Sequence, residues 1–212
     1  SAIDEMLSEC WFLHISQDSK IYFDRQENLT KMLQGLAAVA TEGQIDELVK
    51  TRLQAMFAPT RKTTYGKVIA LPRLNEALEE VKRNRVLLII DPAHKMPPDE
   101  LAKFFAELTE KNNLLVLTGD STQMASITAA ARKVYATLKA ENKISKNHVQ
   151  YEEFLGKKES SDHEFYSTIL GVFDKVIYPV QIGDRAAELK IKPLDTKRDS
   201  SKPFEGEAQI EK

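Results

Sequence analysis

The arrangement in this chain most open to chemistry is a carboxylate at the end of an apolar run. VLLIIDPAHK, residues 86 to 95, sets Asp91 after a strand-like segment and His94 three positions later. Walker B and DEAH-box strands are written this way: one acid serves Mg²⁺ and the next residue, a Glu, polarises a water. Here Pro92 occupies the place of that Glu and has no acid–base chemistry. A second acid, Asp120, ends the run LLVLTGD and is followed by Ser121 and Thr122. Open α/β sheets keep ligands outside the carboxyl ends of their strands. Asp91, His94, Asp120, Ser121 and Thr122 are therefore the candidate ligand-binding residues, lining one crevice. The competing reading of the same letters is structural, with both acids capping turns and Pro92, Pro97 and Pro98 stiffening a loop.

Glycine decides whether Asp91 serves a bound nucleotide. A P-loop needs Gly-x-x-x-x-Gly-Lys-Ser/Thr, because bare backbone N–H groups must wrap the phosphates. Of eight glycines only Gly66 and Gly156 precede a lysine, and Arg61 and Tyr151 stand five positions before them. Neither lysine is followed by Ser or Thr, and no Gly-x-Gly-x-x-Gly occurs. No catalytic residue is assigned, and no cofactor is expected in this chain. His14, His94, His148 and His163 lack the i, i+3 or i, i+4 spacing that puts two ligands on one helix face, so no metal site is expected. Ser161-Asp162-His163 imitates a triad in letters only, since three consecutive side chains cannot converge, and reads as a helix N-cap. Lys82, Arg83 and Arg85 read as cations at a helix end. Lys139, Lys143, Lys146, Lys157 and Lys158 would suit phosphate, but Glu141, Glu152, Glu153 and Glu159 dilute them.

These residues must be carried by a chain of 212 residues with 29% charged residues and a net charge of -2. That is long enough to bury an ordinary core, and it supplies no global basic field for a nucleic-acid backbone. A lone cysteine, Cys10, excludes an internal disulfide framework and fits a reducing compartment. Beside Trp11 it reads as a buried hydrophobe. No apolar run is long enough to span a bilayer, and the beginning lacks the form of a signal peptide. The expected location is cytoplasmic, with no membrane partner. A start without Met and a last stretch, GEAQIEK, that reads as the opening of a helix indicate a piece of something longer.

The expected organisation has three parts. Residues 1–58 hold a short helix at Ile3 to Glu9, a hairpin of CWFLHIS and KIYFD around Gln17-Asp18-Ser19, and two amphipathic helices. The first helix carries Leu29, Met32, Leu33, Leu36 and Val39. The second follows Thr41 as N-cap and carries Ile45, Leu48, Val49, Leu53, Met56 and Phe57. A helix ending in such a hairpin has the form of a wing. Residues 59–182 open with an exposed linker to Gly66 and then alternate strand and helix: strands at 67–71, 86–91 and 114–120, helices at 74–82 and 99–111, and a long helix after Ser121. The polar, Lys-rich stretch from Asn142 to Ser161 reads as a mobile excursion before a helix at 162–174 and the strand VIYPVQI. Residues 183–212 hold the strand ELKIKPL, an exposed loop and the beginning of a truncated helix. The fold class is α/β, a mostly parallel sheet with helices on both faces.

The ordered segments CWFLHISQDSKIYFDRQENLTKML, VLLIIDP, NNLLVLTGDSTQMASITAAARKVYA and VIYPV resemble the C-terminal region of the large, AAA-like P-loop ATPases of the domain-of-unknown-function 499 family. The residues carrying the resemblance are Trp11, Phe12, Tyr22, Phe23, Asn28, Leu29 and Leu33, then Asn113, Leu115, Val116, Leu117, Asp120, Ala131, Arg132 and Ala136. The resemblance implies that VLLIIDP lies downstream of the true Walker motifs, so its likeness to a DEAH box is coincidental. It implies a DNA-associated parent, often paired with a DNA methyltransferase in restriction or phage-exclusion systems, whose ATP and Mg²⁺ sit outside this chain. The implied role is that of an accessory domain contacting the ATPase core of its own chain or a partner subunit, with DNA contact weak or indirect. The alternative is a small ligand-binding or enzymatic domain using the crevice near Asp91 and Asp120.

Overall fold

The computed structural model describes residues 13–15, 20–23, 28–72, 74–93, 98–144, 146–181, 187–194 and 205–211. The expected helix at 3–9, the turn of the hairpin, His94 and the loop after Leu194 fall outside them. Two compact units are present, each drawn from two stretches of chain: 1–46 with 128–166, and 47–127 with 167–212.

In the first unit, β1 (Leu13–Ile15) and β2 (Ile21–Phe23) pair antiparallel with Leu13 opposite Phe23, as the alternation predicts. Helix α1 (Leu29–Ala38) starts where Asn28 Oδ1 accepts the N–H of Lys31 at 3.2 Å. Helix α2 (Glu42–Met56), whose residues from Glu47 on belong to the second unit, starts with a capping box. Thr41 Oγ1 accepts the N–H of Gln44 at 3.4 Å, and Gln44 Oε1 accepts that of Thr41 at 3.0 Å. Leu29 and Met32 pack with Ala140, Ile144 and Phe154 in one apolar cluster, joined by Leu33, Leu36 and Tyr151. Ile144, Tyr151 and Phe154 belong to the stretch expected to be a mobile excursion. Instead α6 runs Tyr151–Val172, after α5 (Met124–Ala140). Sparse apolar residues reach the core while the charges between them pair along the helix, as Lys157 does with Glu153 at 3.6 Å. Ser161 is therefore inside a helix, its hydroxyl donating to the Lys157 carbonyl at 2.8 Å, and is not an N-cap.

The second unit holds a five-stranded open sheet in the order β3-β4-β5-β6-β7: Lys67–Ala70, Val86–Ile89, Leu114–Thr118, Lys175–Val180 and Glu188–Pro193. β3, β4 and β5 are parallel, with Lys67 beside Val86 and Val86 beside Leu114. β6 is antiparallel to β5, and β7 is antiparallel to β6. The sheet is thus mixed, with four of its five strands sharing a direction. The parallel crossovers use α3 (Leu74–Val81) and α4 (Pro98–Glu107). Ala77 and Val81 of α3 and Leu101, Phe104 and Phe105 of α4 share one cluster with Val86, Leu88, Leu114 and Val116, so both helices cover the same face. A right-handed crossover between sequential neighbours requires this. On the opposite face, α7 (Gly206–Glu211) lies beside Leu115, Val176 and Tyr178. Every residue of β4 is buried, the pattern of a strand covered on both faces. Among the described residues, no helix is long and apolar enough to cross a membrane.

Candidate functional site

Asp91 and Asp120 follow the carboxyl ends of adjacent parallel strands, with Ile89 beside Leu117 and the Ile90 N–H donating to the Leu117 carbonyl at 2.9 Å. The sheet thus brings together the strand ends that the sequence reading had placed in one crevice. Each acid is also engaged locally. Asp91 Oδ1 accepts the N–H of Ala93 at 2.7 Å, two residues on, in an Asx turn. Asp120 is the N-cap of a short 3-10 turn, Ser121–Gln123, and its Oδ1 accepts both the N–H and the hydroxyl of Thr122 at 2.9 Å. The Thr122 N–H first, and then its hydroxyl, hold the Asp120 carboxyl below its ordinary pKa. Ser121 is half-buried and Thr122 exposed, with its hydroxyl directed at the Asp120 carboxylate. His94 lies outside the described residues. Strand order runs β3, β4, β5 without reversal, so no topological switch point opens between these strands.

A stronger electrostatic feature sits elsewhere in the second unit. Glu207, in the first turn of α7, is 1% exposed, one of two buried polar residues among those described. Its carboxylate is wrapped by the segment after α2. Oε2 accepts the N–H of Arg61 at 2.7 Å and the hydroxyl of Thr60 at 3.4 Å. Oε1 accepts the N–H groups of Thr63 at 2.8 Å and Thr64 at 3.5 Å, and the Thr63 hydroxyl at 3.3 Å. Successive backbone N–H groups converging on one anion form a nest, and Lys62 supplies the required bend with φ 56°. Burial would push the Glu207 carboxyl up, but the N–H groups of Arg61, Lys62, Thr64 and Thr63 outweigh it and hold the pKa at about 2. Tyr65 is fully buried beside this nest, its hydroxyl donating to the Phe57 carbonyl at 2.7 Å. Burial first, and then the Glu207 charge, keep its phenol protonated far above the ordinary range. The segment expected to be a plain exposed linker exposes side chains such as those of Arg61 and Lys62 but organises its backbone around Glu207.

The same segment forms one wall of an open depression of about 450 Å³ at the amino end of the parallel strands. Its lining is Lys62, Gly66, Lys67, Arg83, Asn84, Arg85 and Asn113. The cations of 82–85, read in the sequence as a helix end, meet those of the segment 62–67 because the Gly66 N–H donates to the Arg85 carbonyl at 2.9 Å at the mouth of the β3–β4 ladder. Arg85 Nη1 donates to the Thr63 carbonyl at 3.0 Å, which fixes its guanidinium on that wall. Lys67 Nζ is 2.8 Å from Glu80. The lysines of residues 139–158 behave differently: Lys158 pairs with Glu141 at 2.6 Å, as their mixed charges predict.

In the first unit, Arg132 of α5 holds the C-terminal end of α1. Its Nη1 donates to the carbonyls of Ala37 at 3.2 Å and Ala40 at 2.7 Å, and its Nη2 to Glu42 at 2.5 Å. A fork of planar donors suits the orphan carbonyls of a helix end. Arg132→Met is expected to lower stability by about 2 kcal/mol, read from urea denaturation, because two half-buried carbonyls lose a charged donor. Arg132→Lys should recover less than half, since one ammonium cannot span both. A fully recovered stability would show that charge alone acts there. Among the described residues, no group of three His, Cys, Asp or Glu could hold a metal ion. Comparison of the chain with protein-family models, curated proteins and solved structures gave no match in any of the three.

Proposed function

We propose that this chain is a non-catalytic accessory region, C-terminal to the core of a larger DNA-associated P-loop ATPase, and that it mediates contacts with that core or with a partner subunit. A DNA methyltransferase is the partner class to which the resemblance points. ATP and Mg²⁺ belong to the core, and the expected compartment is the cytoplasm. The observation that supports this reading is the work done by the residues that carry the resemblance. Asn28 caps α1, and Leu29 in its first turn is buried. Arg132 holds the carbonyls at the end of α1, while Ala131 and Ala136 are buried. Asn113 Nδ2 donates to the Val81 carbonyl at 3.0 Å, Val116 and Leu117 are in the core, and Asp120 caps the turn after β5. Among the described residues, those that carry the resemblance build and brace the fold.

The second reading, a ligand-binding crevice at Asp91 and Asp120, is favoured by the adjacency of their strand ends. It is opposed by the missing switch point and by the turn contacts of both acids. Calorimetric titration with ATP and Mg²⁺ separates the two. The accessory reading expects a dissociation constant no tighter than millimolar, because the sequence has no P-loop to hold the phosphates. A micromolar constant abolished by Asp91→Ala would overturn it in favour of the crevice.

A further inference from the structure

We infer that the depression between residues 62–67 and 83–85 is a contact site for the phosphodiester backbone of a nucleic acid, read by charge and not by base. The chain as a whole carries a net charge of -2. Yet four cationic side chains, Lys62, Lys67, Arg83 and Arg85, line this one depression, and no acidic residue lines it among the described residues. The concentration is a product of the fold. Lys67 opens β3 and Arg85 immediately precedes β4, and the parallel register of these strands sets the two segments side by side.

Two of the cations are positioned by neighbours: Arg85 by the Thr63 carbonyl and Lys67 by Glu80. The other two, Lys62 and Arg83, are exposed, with Glu79 3.9 Å from the Arg83 guanidinium. Several cations lining one open depression can take more than one phosphate of a strand at once. The lining contains no aromatic or aliphatic side chain to clamp a base, and a mononucleotide site needs an apolar wall of that kind. The polar walls therefore favour a backbone over a free nucleotide. The inference stands on this geometry and charge, independent of the ATPase reading.

Fluorescence anisotropy of a labelled DNA duplex against the chain tests it over a range of salt. About four cations reaching phosphates give a slope of log affinity against log salt of roughly -3.6, with most of the binding lost by physiological ionic strength. Neutralising Lys62 and Arg83 together, as Lys62→Gln with Arg83→Gln, is expected to weaken low-salt binding by about tenfold or more and to bring the slope to about -2. The charge-matched control is Lys103→Gln with Lys146→Gln, two exposed lysines that do not line the depression. It should leave the slope unchanged. Arg83→Gln alone must lower the slope by about one, which keeps the inference exposed even if substitution at Lys62 loosens the Glu207 nest. Equal losses in the depression variant and the control, or no binding at low salt, would overturn it. So would micromolar ATP binding that the Lys62→Gln, Arg83→Gln pair abolishes, because the site would then hold a nucleotide. ATP titration with Asp91→Ala addresses the accessory reading through a different residue, so the two failures are distinguishable.

Discussion

Gly119→Ala is expected to cost more than about 4 kcal/mol, enough to remove much of the stability of a domain this size. Gly119 follows β5, where the chain passes against the end of α6. A Cβ there would stand 1.6 Å from the carbonyl oxygen of Val172 and 2.6 Å from its carbonyl carbon. No rotamer relieves that overlap, because both sides of it are backbone. The two segments would have to separate by more than an ångström, and two features oppose that. The Asp120 N–H donates to the same Val172 carbonyl at 3.1 Å, and both Val172 and Phe173 are fully buried. Equilibrium urea denaturation reads the loss. Gly156→Ala provides the contrast, since Gly156 lies within α6 with nothing within 4 Å of the added carbon. It should gain up to about 1 kcal/mol from helix propensity alone. A Gly119→Ala chain within 1 kcal/mol of the parent would mean that β5 and the end of α6 do not approach in this way.

That contact also explains where the sequence reading of the sheet ran out. Alternation of apolar runs and amphipathic segments marks β3, α3, β4, α4 and β5, because each buries a regular face and so writes its period into the sequence. Strand direction has no such signature. One helix between strands reverses the chain once and returns it parallel, as α3 and α4 do. Two helices in succession, α5 and α6, return it to the edge it left, and Lys175 enters β6 opposite Thr118, antiparallel. The start of α6 was illegible for a related reason. Only Tyr151 and Phe154 of its opening turns face the core, and the acids and lysines between them look like a solvated loop until their helical pairing is seen.

The candidate site divides along the same line. Asp91 and Asp120 were visible because they end apolar strands, and their local chemistry, an Asx turn and an N-cap, was the simpler of two readings of the same letters. The basic depression was visible only as a cationic helix end at 82–85 and a separate exposed linker, since strand register is what joins them. Glu207 had no signal of its own. Its partners lie about 145 residues earlier, in a segment whose Thr and basic content suggests nothing more than exposure. Backbone donors carry no letter in a sequence, so a site made of them is hidden from composition and periodicity alike.

Glu207→Gln should therefore be the most informative single substitution, because it keeps the size of the side chain and removes the charge. The nest offers donors to both carboxylate oxygens, so an amide must turn its NH₂ group toward N–H groups that have nothing to accept. The expected loss is about 3 kcal/mol at neutral pH, in the range for breaking hydrogen bonds to a buried charged group. The loss has a defined pH dependence. The folded carboxyl has a pKa of about 2, against 4.5 in the unfolded chain. A depressed folded pKa contributes stability that is fully present above the unfolded value and is lost as pH falls toward the folded one. The parent chain should thus lose this contribution between about pH 4.5 and pH 2, while Glu207→Gln, with nothing to titrate there, should not. Plotted against pH, the difference in urea stability between the two should be flat above pH 5 and shrink steadily below it. A difference that stays constant down to pH 2.5 would mean the carboxylate is not held as an anion by the segment from Thr60 to Thr64. The same measurement reports on the docking of α7, since Gly206 sets its backbone against the end of α2: a Cβ at 206 would lie 2.5 Å from the Met56 carbonyl oxygen. With the charge gone, α7 keeps that backbone packing but loses the electrostatic anchor, so amide exchange should rise first in residues 61–64 and 207–211, ahead of the sheet.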